Sequence, residues 1–552
     1  MTSPTLWVHT LRYLRPEQWV HRLRYALGGP PGLGGGAAPV GAELQPRVPF
    51  NSYPWLSAAE VAVGRFRFLN DGADYRAGVD WGAPGKGRLW RYNLHYFQYL
   101  FPEGGLEAPA GLQLIEDWVE CNPPGTSDAW DPFPISLRLV NWIKFLGANG
   151  AAAPEEVSGS AFQQALWLEQ RLERHLLANH FFKNLKALVF AGLFFEGPEA
   201  ARWLATGERF LQRELPEQVL GDGGHFERSP MYHCMILEDC LDLLNVASDR
   251  VEPECLRLAE LLRPACRRMA GFLAGMLHPD GEIALFNDAA FGIELPAPQL
   301  LEYAEAVLGE TPAGLGENHW AFPQSGYYVL APAADDRMLV DCGPVGPDYQ
   351  PGHAHCDTLA YELALGGRRV VVDTGVYEYP PGAMRHYARS TAAHNTVRVD
   401  GEEQSEIWAA HRVGRRARPL GAELNCDGDG LRFVGSHDGY RRLGVTHERE
   451  ITWGSESGWT VHDRLTGKGR HRAESFVHLH PEFRAQLAGN EVAVVDGATG
   501  ETIAKIGVES PASVVVERGW YCPEFGMKIE NDVLVVTAEG DLPLELGYTI
   551  RH

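Results

Sequence analysis

The sequence predicts an α+β multidomain protein in which a helical domain is followed by an antiparallel β-domain. Between about residues 108 and 308, apolar side chains recur at helical spacing, as in Leu237, Leu241 and Leu244. Near residue 320 the apolar period changes to two, which is typical of strands. A chain of 552 residues is long enough for each domain to bury a full core.

The helical region contains a series of periodic segments separated by Gly, Pro, Asn and Asp. No strand pattern lies between them, so we expect antiparallel helix pairs of the kind that build an α/α toroid or solenoid. The predicted helices are 109–121, 134–148, 160–177, 184–196, 198–215, 230–247, 254–277 and 297–308.

The β-domain is predicted from alternating or β-branched segments with turn residues about every 8–12 positions, a pattern typical of a layered sandwich. Before both domains, residues 1–26 have the pattern of a basic, aromatic amphipathic helix. We expect this helix to pack on the protein body rather than on a membrane surface. Residues 28–50 are rich in Gly and Pro and predict a linker. The expected domains are 1–50, 51–319 and 320–552.

Composition limits the classes of partner and the compartment. The formal charge of −23 argues against non-specific nucleic-acid binding, although a local Arg and Lys cluster can still attract an anionic substrate. The nine cysteines contain no CxxC motif and predict free thiols. No signal sequence is recognisable, and no apolar run reaches the ~18 residues of a membrane-spanning helix. We therefore expect a cytoplasmic protein as the sequence stands, or a periplasmic or extracellular one if a leader has been removed.

Two polar clusters lie in the helical half. The first includes Asn179 and His180 at a helix end, where function competes with simple helix capping. The second includes Tyr232 and His233 in the first turn of a helix that begins at Ser229-Pro230. The positive end of that helix should favour the phenolate of Tyr232, which suits acid–base chemistry. A core aromatic is the alternative for Tyr232.

The densest polar stretch is Gly352–Val397, in the β-domain. His355, Asp373 and His394 form a set of nitrogen and oxygen ligands that suits Zn²⁺ with one position left for water. His353 and Asp357 share a strand face with His355 and compete for the same role. A polar strand-and-turn region with solvated histidines is the alternative.

Three motifs together resemble the heparinase II/III-like polysaccharide lyases, a family that includes heparinase III and related alginate lyases. They are ANHFFKN at 178–184, ERSPMYH at 227–233, and GHAHCD…VVVDTGVYEY…RHYARSTAAHNTV at 352–397. The resemblance covers roughly residues 50–420. It implies an incomplete (α/α) toroid, a C-terminal antiparallel β-sandwich, and a cleft between them. That cleft would bind an anionic uronate-containing polysaccharide and cleave it by β-elimination.

The resemblance also implies residue roles. Asn179, paired with His180, would contact the substrate carboxylate, and Tyr232 would be the catalytic tyrosine. The positions that bind a divalent metal, commonly zinc, would be His355, Asp373 and His394. Further substrate-binding candidates are His233, the competing second tyrosines, and arginines whose forked guanidinium suits carboxylates or sulfates: Tyr377, Tyr379, Tyr387, Arg228, Arg385 and Arg389.

Two other functions compete with the lyase. One is a non-catalytic polysaccharide-binding protein associated with envelope polysaccharide synthesis. The other is a toroid glycoside hydrolase, for which Glu227 and Asp222 are the carboxylates nearest the predicted site. The sequence does not specify the uronate, its sulfation, endo or exo cleavage, or the oligomeric state.

Overall fold

The computed structural model describes residues 4–29, 31–32, 41, 44–148, 154–312, 319–427 and 430–552. A helical N-terminal region followed by a region of antiparallel sheets confirms the predicted fold class. Much of the predicted Gly/Pro linker, including 33–40, lies outside the described residues. The predicted change of period falls at His319, where the first strand of the β-domain begins.

The first hundred residues contain short elements. The predicted N-terminal helix forms two helices, α1 (Pro4–Leu11) and α2 (Pro16–Leu27), because Pro16 suits the first turn of a new helix. Two small two-stranded sheets follow, which the sequence did not predict. Their strands and the neighbouring helices are β1 (Tyr53–Ser57), α3 (Ala58–Ala62), β2 (Arg65–Phe68), β3 (Asp71–Asp74), α4 (Arg88–Tyr96) and β4 (Pro102–Glu103).

The toroid consists of two layers of helices: α5 (Ala108–Cys121), α6 (Pro132–Ala148), α7 (Glu155–Gln170), α8 (Ala178–Phe194), α9 (Pro198–Gln218), α10 (Pro230–Ala247), α11 (Pro253–Gly275) and α12 (Ala297–Leu308). Helices α6, α8, α10 and α12 contact one another in succession and form the inner layer. Most side chains of α6, α8 and α10 are buried, because these helices are covered on both sides. Helices α5, α7, α9 and α11 are amphipathic and cover them from outside.

The helix predicted at 160–177 ends earlier, at Gln170. The chain turns sharply afterwards, because Leu177 and Ala178 adopt left-handed backbone conformations, with φ of 64° and 53°. This turn places Asn179 and His180 in the first turn of α8, at a helix end as the sequence predicted, although the helix begins at Ala178 rather than at residue 184.

Within the described chain, the β-domain contains three large antiparallel sheets, one two-stranded antiparallel sheet and one short α-helix. A five-stranded sheet has the order β5-β6-β7-β8-β9, with strands His319–Phe322, Tyr327–Leu330, Arg337–Asp341, Tyr361–Leu365 and Arg368–Val371. Helix α13 (Ala383–Arg389) follows it. The remaining strands are β10 (Val397–Val399), β11 (Ile407–Trp408), β12 (Arg412–Val413), β13 (Pro419–Asp427), β14 (Gly430–His437), β15 (Val445–Gly454), β16 (Gly458–Gly467), β17 (Arg470–His478), β18 (Phe483–Ala488), β19 (Glu491–Asp496), β20 (Thr502–Val508), β21 (Ser513–Tyr521), β22 (Ile529–Asp541) and β23 (Leu544–Arg551).

These later strands form a sandwich core. An eight-stranded sheet has the order β13-β14-β15-β16-β23-β20-β19-β18, and a four-stranded sheet has the order β10-β17-β22-β21. Burial alternates along β16, where Trp459, Val461 and Leu465 point inward. Their side chains join one apolar cluster with residues of the other two sheets. The apolar residues that recur with a period of two in the sequence are therefore those that face the interior of the sandwich.

The two domains share a continuous interface. Val372, Val376 and Phe525 of the β-domain belong to the same apolar cluster as the toroid helices. The cleft described below lies along this junction. Among the described residues, no helix has the length and apolar character needed to span a bilayer.

Candidate active site

A cleft of about 1120 Å³ lies between the toroid and the β-domain. Its walls come from the starts of α8 and α10, from loops of the β-domain, and from the N-terminal helices. The predicted catalytic residues Asn179, His180 and Tyr232 all line it, as do the predicted substrate-binding residues Tyr377 and Tyr379. The structure therefore brings together residues that are up to 200 positions apart in the sequence.

Asn179 is fixed by a buried carboxylate. Its Nδ2 atom donates to both oxygens of Glu227, at 3.0 and 2.9 Å. The same nitrogen lies 3.5 Å from Nε2 of His353, on the cleft side. Because an amide nitrogen carries two hydrogens, one can remain on Glu227 while the other donates to a ligand. Asn179 is thus positioned to hydrogen-bond an anionic group in the cleft.

His180 forms an ion pair with Glu173, whose Oε1 atom accepts from Nδ1 at 3.1 Å. Burial lowers the pKa of His180, but the adjacent Glu173 carboxylate outweighs this and raises the pKa above its ordinary value. Asn184 donates to the other oxygen of Glu173 at 3.1 Å and holds it in place. His180 is therefore protonated more readily than an isolated imidazole, which suits it to interact with a negatively charged ligand in the cleft.

Tyr232 differs from the sequence expectation in its electrostatics. The helix α10 begins at Ser229-Pro230 as the sequence predicted, and Ser229 caps it by accepting from the backbone N–H of Tyr232 at 3.3 Å. However, burial and the hydroxyl of Tyr379, 3.0 Å away, raise the pKa of Tyr232 well above its usual range. The expected phenolate is wrong, because a helix end contributes roughly 0.3–1 kcal/mol, less than the cost of burying an anion. Tyr232 is a proton donor in the free protein.

The hydrogen bond between Tyr232 and Tyr379 also resolves the choice among Tyr377, Tyr379 and Tyr387. The hydroxyl of Tyr379 meets that of Tyr232, whereas Tyr377 lines the cleft elsewhere. Tyr387 lies behind the wall and accepts a hydrogen bond from the backbone of Trp520 at 3.3 Å. Of these three tyrosines, Tyr379 is therefore the one whose hydroxyl meets that of Tyr232.

His353 lines the cleft, whereas the sequence indicated it only as a residue that competes with His355 for the metal. Its ring stacks on Tyr232 with centroids 3.8 Å apart, and its Nδ1 donates to Asp288 at 3.0 Å. This bond fixes the tautomer and leaves Nε2 as an acceptor facing Asn179. The HxH pattern could not predict the contact between His353 and Asp288, because Asp288 lies in the loop between α11 and α12, distant in the sequence.

Asp288 joins the cleft to the β-domain interior. It accepts from His353, from Nε2 of His355 at 2.8 Å, and from both terminal nitrogens of Arg385. Burial opposes ionisation, but the Arg385 guanidinium and the histidine hydrogen bonds hold the pKa of Asp288 well below its usual range. Arg385 was predicted to bind substrate, and the structure instead commits it to Asp288.

Three other predicted substrate ligands are also structural. Arg228 donates to the backbone carbonyls of Phe226, Gln324 and Ser325. Arg389 is buried and donates to four backbone carbonyls of the β-domain. His233 is buried against Phe272, with its Nε2 bonded to the Met269 carbonyl at 3.0 Å. Arg228, Arg389 and His233 therefore bond to backbone carbonyls inside the fold and are not among the residues that line the cleft.

A second polar cluster lies behind His353. Nδ1 of His355 and Nε2 of His394 are buried without a hydrogen-bond partner in the described chain. One possible ligand atom from each of His355, Asp357 and His394 lies within 4.8 Å of the other two. Asp373 instead accepts from Nδ1 of His394 at 2.7 Å, so it orients that ligand from behind. The donor set fits a divalent metal, and the structure favours Asp357 over the predicted Asp373 as the carboxylate ligand.

Family models match most of the chain. Residues 112–299 match the heparinase II/III N-terminus, and residues 314–548 match the heparinase II/III-like C-terminal domain. The chain belongs to the heparinase II/III-like family. This membership confirms the resemblance noted in its motifs.

Individual heparinase II/III-like relatives differ in their described roles. FtsZ-localized protein C of Caulobacter vibrioides is 28% identical over 462 residues, which cover 76% of this chain and 74% of that protein. A heparin-sulfate lyase of Pedobacter heparinus is 25% identical over 437 residues, 72% of this chain and 63% of the lyase. The chain thus spans less than two thirds of that lyase. A crystal structure of heparinase III superposes with a TM-score of 0.69 at 18% identity, covering 100% of this chain and 93% of that one, and shows the shared fold.

The heparinase II/III-like models begin at residue 112. Helices α1, α2 and α4 precede this point, yet Arg22, Tyr25 and Arg88 line the same cleft as Tyr232. The sequence predicted only that the N-terminal helix packs on the protein body. Part of the site is therefore built by residues outside the family-matched regions.

Proposed function

We propose that this protein cleaves a uronate-containing polysaccharide by β-elimination and leaves an unsaturated uronate end. The observation that carries the proposal is the convergence of Asn179, Tyr232 and His353 on one side of the cleft. Family membership supports the reaction class, and the heparin-sulfate lyase of Pedobacter heparinus supports a glycosaminoglycan-like substrate.

The first requirement of the reaction is to acidify the C5 proton next to the uronate carboxylate. Removal of that proton places negative charge on the carboxylate, so fixed hydrogen-bond donors and positive charges stabilise the enolate-like intermediate. The N–H of Asn179 that faces His353 supplies a donor to a bound carboxylate, and the imidazole of His180, whose pKa the Glu173 carboxylate raises, supplies positive charge. Neither group has to reorganise, because Glu227 and Glu173 hold them in place.

The second requirement is a base and an acid. Nε2 of His353 takes the C5 proton, the C4–C5 double bond forms, and the bond from C4 to the leaving oxygen breaks. The hydroxyl of Tyr232, which burial keeps protonated, donates its proton to that oxygen. Tyr379 stabilises the resulting phenolate through the hydrogen bond between the two hydroxyls. The proton on His353 then passes to the phenolate of Tyr232, directly or by exchange through solvent, which restores both groups.

We also propose that His355, Asp357 and His394 hold a divalent metal, with zinc favoured by two imidazoles and one carboxylate. When bound, the metal supplies a positive charge that ties together segments of the β-domain. His355 would then be fixed between the metal and Asp288, which positions His353. In this proposal the cluster braces the cleft wall and takes no part in the proton transfers.

An assay with a panel of uronate polysaccharides tests the function. An increase in ultraviolet absorbance from an unsaturated uronate is the expected result. New reducing ends without that absorbance indicate hydrolysis, and binding without either signal indicates a binding protein.

The structure gives the hydrolase little support, because both candidate carboxylates already accept hydrogen bonds within the fold. Asp222 accepts from the backbone N–H groups of Gln324 and Ser325, and Glu227 accepts from Asn179. Opposed carboxylates roughly 5–9.5 Å apart across the sugar are what hydrolysis requires.

A further inference from the structure

The N-terminal helices contribute a charged wall to the cleft. Thr10, Leu14, Arg22 and Tyr25 all line it. Arg22 and Tyr25 are three residues apart on α2, so their side chains share one face of the helix. That face is directed toward the space in which Asn179 and Tyr232 lie.

Contacts with both domains hold α2 in this position. Glu17 accepts from Arg174 of the toroid at 2.7 Å. The buried Gln18 donates to the carbonyl of Tyr349, in a loop of the β-domain, at 3.3 Å. The ring of Tyr25 packs against His175, with centroids 4.7 Å apart. The side chain of Arg22 therefore extends from a fixed backbone rather than from a loose terminus.

A second arginine reaches the cleft from the β-domain. Arg412 lies in β12, and its guanidinium is 5.0 Å from the ring centroid of Trp7 and 5.1 Å from that of Trp408. Arg22 and Arg412 line the same cleft, and Thr10 of α1, which also lines it, donates to the carbonyl of Val413, next to Arg412, at 3.3 Å. Burial, and then the positive charge of Arg412, lower the pKa of Arg22. Two positive charges thus come from different domains to one part of the cleft.

Other arginines that line the cleft form ion pairs with carboxylates, unlike Arg22 and Arg412. Arg88 is paired with Asp131 at 2.8 Å, and Arg416 with Asp348 at 2.7 Å. Across the part of the chain that the structure describes, neither Arg22 nor Arg412 has an ion pair with a carboxylate. Two close, partly desolvated cations repel each other, and a bound anion would offset that repulsion.

We propose that Arg22 and Arg412 form a subsite for a carboxylate or sulfate on a second sugar, separate from the uronate held by Asn179 and His180. This inference rests on the proposed function and makes the substrate a polyanion with charge on more than one sugar. The volume of the cleft exceeds the ~300–1,000 Å³ of small-molecule pockets, which leaves room for several sugars.

Binding measurements test the subsite without turnover. In a Tyr232→Phe background, calorimetry is used with unsulfated heparosan, sulfated heparan and alginate oligosaccharides, and with a neutral cello-oligosaccharide. Arg22→Ala and Arg412→Ala should each weaken binding of an anionic oligosaccharide about tenfold, the loss expected for a hydrogen bond to a charged group. Arg22→Lys should recover part of the loss. Arg24→Ala, on the exposed side of the same helix, is the matched control and should bind as the parent does.

The pattern across the panel identifies the anion. Loss with sulfated oligosaccharides alone assigns the subsite to sulfate, whereas loss with the unsulfated ones as well assigns it to carboxylate. An unchanged Kd for every anionic oligosaccharide overturns the proposal. An equal loss for the neutral oligosaccharide also overturns it, because that result indicates a structural role.

Kinetics separate this inference from the proposed function. In the active protein, Arg22→Ala should raise KM more than it lowers kcat. If the protein forms unsaturated product but both arginine variants keep the parental KM, the subsite proposal is overturned and the lyase proposal stands. If no unsaturated product forms while the arginine-dependent binding holds, the lyase proposal fails and the subsite stands. Absence of binding to every oligosaccharide overturns both.

Discussion

The hydroxyl of Tyr232 is the atom on which the proposed proton transfer depends most directly. Tyr232→Phe removes that oxygen, keeps the ring stacked on His353, and should lower kcat by about 10²–10⁴-fold. The folded protein should lose at most about 1 kcal/mol, since a single hydrogen bond with Tyr379 is removed. Steady-state kinetics and thermal unfolding measure the two effects. Tyr387→Phe, behind the cleft wall, is the matched control, and parental activity in Tyr232→Phe would contradict the assignment.

The ion pair of His180 and Glu173 predicts a pH dependence of stability. Despite burial, the pair raises the pKa of His180 above 6.5 and lowers that of Glu173 below 4.5. Its contribution is therefore greatest between those values. It is lost as the pH rises through the raised pKa of His180 or falls through the lowered pKa of Glu173. The difference in Tm between the parent and Glu173→Gln should accordingly shrink from pH 6 to 9. Glu169→Gln, in an exposed pair with Arg202, should show no such trend.

At the scale of elements, the predicted metal cluster connects the segment after β7 to the segment before β10. His355→Ala and Asp357→Ala should each abolish stoichiometric metal, because each removes a ligand atom. Asp373→Ala removes only the hydrogen bond behind His394 and should weaken metal affinity about 10–100-fold. Elemental analysis and chelator competition distinguish these results. Complete metal loss in Asp373→Ala, with retention in Asp357→Ala, would restore the ligand set expected from the sequence. Metal removal should lower Tm before it lowers activity.

Helices and strands could be predicted from the sequence where neighbouring residues determine where they begin and end. Helix α10 has the predicted bounds of 230–247, because Ser229 and Pro230 start it and its apolar residues continue without interruption. The turn at Leu177 and Ala178 was missed, since neither residue type signals a left-handed backbone. The partners of the site were missed for a different reason. Asp288 reaches His353 and Arg385 through the tertiary fold, and no local spacing encodes that meeting.

At the scale of the whole molecule, the cleft requires both domains and the N-terminal helices that bridge them. Arg15 is the clearest bridge: it pairs with Glu217 of the toroid, and its guanidinium lies 3.7 Å from the ring centroid of Tyr349 in the β-domain. A partly exposed ion pair and a cation–π contact together contribute about 1 kcal/mol. Arg15→Ala should therefore lower Tm by a few degrees at most, but it should release α1 and α2 from the cleft.

Hydrogen exchange is the measurement that detects this release. In Arg15→Ala, amide protection should fall in residues 4–27 and in the loop around Tyr349, while the inner toroid helices keep theirs. Because α2 carries Arg22 into the cleft, the same variant should weaken binding of an anionic oligosaccharide although Arg15 does not line the cleft. Arg24→Ala should change neither quantity. If Arg15→Ala leaves protection of residues 4–27 unchanged, the other contacts of α1 and α2 suffice to hold the wall, and the bridge assigned to Arg15 is wrong.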